Sequence, residues 1–320
     1  MDIEKINKMV WWIPFKELRN NIRDALLEIN EYKNSKYSFY NDICHSEYKI
    51  ENYLKKITPK PYLDFIEFHL AEHCNLGCYS CVQFSQVAQE EYYDIDEFER
   101  DVKRLFELTN GLIGRIHLLG GEPLLNKNCK DYFYIVRKYF KSIPILLVTN
   151  GILLPKQEKS FWGSCKDNDI IISPTKYPLK IDWDNIEKIC AEYNVKLHFY
   201  NGSGENDIAS NKNVLKLEGD LDPFYNFIRC WLSNTCVSLH KGKICTCSLA
   251  IYIKHFNKAF NQNLELTELD TIDIYKAKSY EEILQFIAKP IPFCRYCDVD
   301  KWRSTGKWQI SKKTIDEYVD

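Results

Sequence analysis

Three cysteines fall within eight residues, at Cys74, Cys78 and Cys81, directly after the apolar run 64–70. Thiols so close in sequence can aim at one point only if the chain between them makes a tight loop, and Gly77 lets the backbone turn there. Thiolates are the usual protein ligands of iron–sulfur clusters. Three of them serve three irons of a cubane cluster and leave the fourth open to a small chelating ligand. The competing use is zinc, but a structural zinc site takes four closed ligands. The adjacent His73 would point away from the other three on an extended backbone.

The remaining cysteines bear on the compartment. The chain has thirteen, and six of them lie between Cys230 and Cys297. The opening MDIEKINKMVWWIPFKEL carries acidic residues at once and only a short apolar patch, so it reads as neither a signal peptide nor a membrane span. A cytoplasmic chain keeps its thiols reduced, and clustered cysteines there bind metal or do chemistry. The net charge of -2 gives no basic excess for nucleic acid.

The chain divides into three stretches. Residues 1–60 have helical periodicity, with Leu18, Ile22, Leu26 and Ile29 on one face. Trp11, Trp12 and Phe15 stand among five basic side chains between Lys5 and Arg23. Such a helix either packs with its charges solvated or rests weakly on a membrane surface. Residues 61–218 alternate apolar runs (64–70, 116–119, 145–148, 170–173, 196–200) with helical patterns or loops; Asp94 and Glu97 make an N-terminal cap. That alternation predicts α/β architecture, a parallel sheet with chemistry at the C-terminal strand ends. Residues 219–320 predict a helix near 220–231, a hairpin around His240–Lys243, a helix capped by Ser279 and Glu282, and then Cys294-Arg295-Tyr296-Cys297.

The motif Cys74-x3-Cys78-x2-Cys81 after the first strand resembles the radical S-adenosylmethionine (SAM) superfamily. Gly120-Gly121-Glu122-Pro123 after the second strand and Val148-Thr149-Asn150-Gly151 after the third match it in order. The resemblance implies a partial (β/α)6 TIM-like barrel and a [4Fe-4S] cluster with one open iron. It also implies SAM contacts at Gly120, Gly121, Glu122, Pro123, Thr149 and Asn150. Ser173, ending the fourth strand, is a candidate contact and otherwise a turn residue. The residue before the third cysteine is often aromatic in this superfamily; here it is Ser80, and Tyr79 comes one earlier as the aromatic candidate.

Cys230, Gly242 and Cys247, followed by Cys294 and Cys297, resemble the first and second halves of the Twitch module, a shortened SPASM domain. The resemblance implies a second, auxiliary [4Fe-4S] cluster on Cys230, Cys247, Cys294 and Cys297 within a small hairpin-plus-helix module. A zinc knuckle from the same four cysteines has the same spacing. Cys236 and Cys245 are small buried thiols or hydrogen-atom donors. His117 and His198 read as packed histidines, and Trp302, Arg303 and Trp308 as packing against the module or as the lining of a substrate mouth.

The family chemistry is cleavage of SAM to a 5'-deoxyadenosyl radical that abstracts a hydrogen atom, with electrons from a flavodoxin- or ferredoxin-like donor. The opening Val10–Lys16 is similar to that of surface-polysaccharide glycosyltransferases and tilts the expected substrate to a sugar or nucleotide-sugar, by dehydrogenation or epimerisation. The alternative is a maturase that modifies a precursor peptide. Residues 1–60 lack the strand pairs of a peptide-recognition domain.

Overall fold

A computed structural model of the 320-residue chain describes residues 3–11, 14, 16–200 and 208–320, and within these it leaves the side chains of residues 3 and 31–45 undescribed. Trp12, Phe15 and the side chain of Cys44 therefore lie outside the described residues. The chain divides into two compact units, Met1–Lys55 and Lys56–Asp320. The first contains α1 (Ile3–Val10) and most of α2 (Lys16–Ile57). Leu18, Ile22 and Ile29 of α2 are exposed. Among the described residues no helix is long and apolar enough to cross a membrane.

The second unit is built on parallel strands. The five apolar runs become β1 (Ile66–Ala71), β2 (Ile116–Gly120), β3 (Ile145–Thr149), β4 (Ile170–Pro174) and β5 (Lys196–Leu197), in the order β5-β4-β3-β2-β1. Every residue of β1 and β2 is buried, as expected of strands covered on both faces. The helices α3 (Ile95–Thr109), α4 (Cys129–Tyr139), α5 (Lys159–Asp167) and α6 (Trp183–Glu192) fill the intervals between strands. Ile66, Phe68 and Leu70 of β1 join one core with Phe98, Val102 and Leu105 of α3. The helix starts where the sequence predicts. The Asp94 carboxylate accepts from the amides of Asp96 and Glu97, which satisfies donors that a helix start leaves open.

Beyond β5 the order changes. The next strand, β6 (Ala209–Lys212), is polar and pairs antiparallel with the late strand at Arg303–Lys307. The sixth parallel strand is instead β7 (Ser238–His240), on the other side of β1, with Glu67 opposite Ser238. The expected hairpin comes next: β7 turns through Lys241-Gly242 into β8 (Lys243–Cys245), and β9 (Ile272–Asp273) completes the eight-stranded sheet. Both turn residues have positive φ, the two-residue geometry that matches strand twist. The late strand Arg303–Lys307 is β10. The helices α7 (Pro223–Arg229), α8 (Ser248–Ile251), α9 (Ile253–Phe260) and α10 (Tyr280–Ile287) complete the unit, with Ser279 capping α10. The result is a mixed α/β fold whose parallel sheet stays open among the described residues.

Two histidines separate here. His117 is buried and stacks on Phe65 at 4.4 Å, as expected. His198 is exposed, which corrects the expectation of a packed histidine. Regular strand stops at Leu197 on the sheet edge, where among the described residues no further parallel strand covers the side chain.

One buried carboxylate joins α3 to the hairpin. Asp101 is 1% exposed and accepts from the Gly242 amide (2.6 Å), the Tyr275 hydroxyl (2.5 Å) and the Tyr93 hydroxyl. Asp101→Ala strips a turn amide and two phenols of their acceptor. The Gly242 amide and the Tyr93 hydroxyl are buried, whereas Tyr275 is half exposed and can turn to water. Each stranded buried group costs about 1–3 kcal/mol, so the variant is expected to lose at least ~2 kcal/mol of stability, read from urea midpoints at constant m.

Candidate functional site

The thiol loop leaves the C-terminal end of β1 and is fixed by the neighbouring loops. The Gly121 amide donates to the Ala71 carbonyl and the Glu122 amide to the His73 carbonyl, at 2.9 and 3.0 Å. A Cβ on Gly120 would sit 2.2 Å from the Ala71 oxygen, and one on Gly121 2.3 Å from the His73 oxygen. The Gly-Gly pair therefore serves first to let the loop after β2 lie flat against the exit of β1.

Glu122 is fully buried and ties this loop to the end of β3. Its carboxylate accepts from the Thr149 hydroxyl (2.6 Å), the Asn150 amide (2.8 Å) and the Leu124 amide (3.1 Å). Burial raises its pKa to about 7 against the pull of these donors. The Asn150 side chain donates to Asn75 at 2.7 Å and approaches the Cys74 sulfur at 3.7 Å. A chain of polar contacts thus runs from the second loop through the third to the first thiol.

The three sulfurs have different donors. Cys74 Sγ accepts from the Leu76 amide at 3.3 Å. Burial raises the pKa of Cys81 against the pull of the backbone amides of Ser85, Gln83 and Phe84. Cys78 Sγ accepts from the Trp308 indole N–H at 3.4 Å and from the Tyr177 hydroxyl. Burial, then the neighbouring Cys81, pushes the Cys78 thiol up to about 11. A bound metal reverses that balance and deprotonates a coordinating thiol.

The last residues of the chain close over this loop. The Tyr79 amide donates to the Gln309 carbonyl and the Ser311 amide to the Gly77 carbonyl, at 3.0 and 2.8 Å. Ser80, at φ +48°, donates its amide to the buried Glu317 carboxylate, which also accepts from the Ser311 hydroxyl and the Lys312 amide. The Tyr318 hydroxyl donates to the Cys81 carbonyl at 3.1 Å.

A cavity of about 330 Å³ opens on the three thiols. Gly120, Gly121, Thr149 and Asn150 also line it, so seven of the sequence candidates share one wall. Tyr79, Glu122, Pro123 and Ser173 do not: Glu122, Pro123 and Ser173 are buried behind the loops, and Tyr79 lies near Arg303. The Ser173 hydroxyl has no partner among the described residues. Sequence reasoning passes over Glu67, Thr175, Tyr177, Tyr200 and Trp231, which also line the cavity. Only the alternation of β1 signals Glu67, as the one carboxylate on a strand whose other polar residue is His69. Cys236 lines it too, whereas Cys245 is buried beyond it.

A second group of thiols gathers in the C-terminal half. Cys230 ends α7, Cys247 precedes α8, Cys294 lies within the helical turn Pro292–Tyr296 and Cys297 stands at its end. They belong to one buried cluster and interact electrostatically with one another. Burial pushes Cys294 up to about 12. Lys56 sits beside them, its ammonium donating to the Cys230 carbonyl at 2.5 Å and feeling the Cys230 and Cys247 sulfurs. Among the described residues no three His, Cys, Asp or Glu side chains stand close enough to hold a single metal ion.

The family match falls on the thiol loop and the residues that follow it. The family profile described as the radical SAM superfamily matches residues 69–167. Enzymes named GTP 3',8-cyclase are similar over the same kind of span: that of Aliarcobacter butzleri (strain RM4018) is 31% identical over 100 residues, 30% of each chain. That of Helicobacter pylori (strain ATCC 700392 / 26695) is 29% identical over 100 residues, again 30% of each. The chain thus spans about 30% of the length of the curated relatives it matches. Among solved structures, BtrN in complex with AdoMet and 2-DOIA aligns with 75% of this chain and 94% of its own, at 17% identity and TM-score 0.47. The structure of anSMEcpe with bound AdoMet aligns with 43% of this chain and 42% of its own, at 21% identity and TM-score 0.35. The stretch that matches the radical SAM superfamily, residues 69–167, thus carries Cys74, Cys78 and Cys81 at the exit of β1 and runs on through α5.

Proposed function

We propose that the protein is a radical SAM enzyme that acts on a polar, hydroxyl-bearing carbohydrate-like substrate and removes hydrogen from carbon. The observation that carries this reading is the single cavity that Cys74, Cys78 and Cys81 share with Gly120, Gly121, Thr149, Asn150 and the carboxylate of Glu67. The donor set fits a [4Fe-4S] cluster: three thiols, each with N–H or O–H donors aimed at sulfur, as cluster thiolates require. Held by Cys74, Cys78 and Cys81, such a cluster would supply the electron for reductive cleavage of SAM to a 5'-deoxyadenosyl radical.

The chain's own residues do the rest. The thiol loop, held by Gly77, Tyr79 and Ser80 to the C-terminal segment, keeps the three sulfurs in register. Backbone at Gly120 and Gly121 and the side chains of Thr149 and Asn150 offer donors and acceptors for an amino-acid moiety. Glu67, 5% exposed and held by the Ser238 hydroxyl at 3.2 Å, accepts a hydroxyl of the substrate; Trp231 and Tyr200 give its ring an apolar face. Above its raised pKa of about 7 that carboxylate is ionised and repels phosphate, which favours the sugar end of a substrate over a diphosphate at this place. Cys230, Cys247, Cys294 and Cys297 would hold the auxiliary centre, with Lys56 offsetting part of the thiolate charge.

Cys236 supports a second reading, epimerisation. Its thiol lines the cavity and is pushed up to about 12 by burial and Glu67, so it keeps the S–H hydrogen. Donation of that hydrogen atom to a carbon radical forms a C–H bond and leaves a thiyl radical, and it would carry solvent deuterium into the product; dehydrogenation would not.

Anaerobically reconstituted protein given dithionite and SAM is expected to release 5'-deoxyadenosine slowly without substrate, and Cys78→Ala to release none while keeping its circular dichroism. A fully loaded protein that releases none overturns the reading. The Cys74/Cys78/Cys81 triple alanine variant should keep iron and visible absorbance from the auxiliary centre; a colourless, zinc-containing variant would remove that centre from the account.

Glu67 makes a further expectation. Burial raises its pKa from 4.5 to about 7. The unfolded carboxylate ionises first, so the folded protein holds the extra proton and loses stability as pH rises from about 4.5 to 7, with no further change above. Glu67→Gln is therefore expected to gain thermal stability over the parent progressively across that window, by up to ~3 kcal/mol from the 1.36 kcal/mol per unit relation. A gain independent of pH would contradict it.

A further inference from the structure

We infer that Trp308 sets the reduction potential of the centre at Cys74, Cys78 and Cys81 by donating its indole N–H to Cys78 Sγ. This rests on the functional reading above and adds to it a positioning residue far outside the stretch that matches the radical SAM superfamily, 230 residues from its partner in sequence.

The geometry is specific. The indole nitrogen lies 3.4 Å from the Cys78 sulfur, and the ring meets Tyr177 at 5.6 Å between centroids, with the Tyr177 hydroxyl bonded to the same sulfur. Among the described residues, Cys78 is the one of the three thiols with an aromatic side-chain donor; Cys81 draws mainly on backbone amides, and Cys74 on the Leu76 amide and a long contact from Asn150. Backbone donors come with the loop whatever its sequence, whereas the indole contact exists only because the C-terminal segment brings it.

That segment is built to hold the contact. The Trp308 amide donates to the Ile208 carbonyl, the Gln309 amide to the Ser210 hydroxyl, and residue 310 bridges to Cys78 itself. Downstream, the buried Glu317 gathers Ser80, Ser311 and Lys312. The backbone that carries the indole therefore cannot move away from Cys78 without unpairing at both of its ends.

The direction of the effect is set by charge. A hydrogen bond to a ligating sulfur stabilises the more negative state of the centre, so it favours reduction. Removing it makes the first electron harder to add. Trp308→Phe keeps the ring and deletes the donor. Trp302→Phe is the control, because that indole donates to the Val214 carbonyl instead.

The test is a potentiometric titration with detection by electron paramagnetic resonance, on full-length protein whose C-terminal cysteines are intact. The expected result for Trp308→Phe is a reduction equilibrium about tenfold less favourable, a fall of ~59 mV for one electron. The control should stay at the parent's potential. A second readout needs no variant: protein with ring-labelled tryptophan should show one exchangeable indole N–H proton coupled to the reduced centre. A loaded Trp308→Phe protein with the parent's potential, or parent protein without that coupling, overturns the inference alone. Parent protein that binds no iron at Cys74, Cys78 and Cys81 overturns the functional reading on which it stands.

Discussion

The thiol loop exists in its shape because two distant pieces of backbone pair across it. Nine residues from His73 to Cys81 contain little that would order them alone, and Ser80 sits at a positive φ that a serine adopts only under constraint. The amide of Tyr79 and the carbonyl of Gly77 find partners in Gln309 and Ser311, and the Ser80 amide finds Glu317. A backbone group without a partner in a buried place costs as much as a lost hydrogen bond. The end of the chain thus completes the loop, and the position of three sulfurs depends on it.

The rest of the site is held by buried carboxylates. Glu122 binds the second and third loops into one frame, Asp101 binds α3 to the β7–β8 turn, and Glu317 binds the terminal segment to the thiol loop. In each case one acidic side chain accepts from groups on separate elements, and its removal would leave several donors stranded rather than one. Glu67 differs. Among the described residues it has one hydroxyl partner, Ser238, and it faces the cavity, which leaves acceptor capacity for something that enters. The molecule separates acids that hold it together from an acid that is available.

Much of this is readable in the residues. The five parallel strands start within two residues of the apolar runs, the Asp94 and Ser279 caps stand where expected, and the hairpin turns at Lys241-Gly242. These are short-range features whose causes lie in adjacent residues. Order and pairing of strands are less legible. The sixth parallel strand comes from Ser238–His240 and not from the stretch after β5, because polar β6 finds its partner in β10. Trp308 reads in sequence as packing or as a substrate mouth, and nothing in its neighbourhood there connects it to Cys78.

Adjacent residues were enough to specify the chemistry of the ligands, the Gly-Gly and Asn-Gly turns, and the strand–helix rhythm, because each depends on positions close together in the chain. Folding in three dimensions was needed to choose which thiol receives the indole, to turn Glu67 and Cys236 toward the cavity but not Cys245, and to set Glu122 as a brace behind the loops. Those outcomes depend on contacts between residues 27 to 230 positions apart, and no local pattern encodes a partner that only the folded sheet brings within reach.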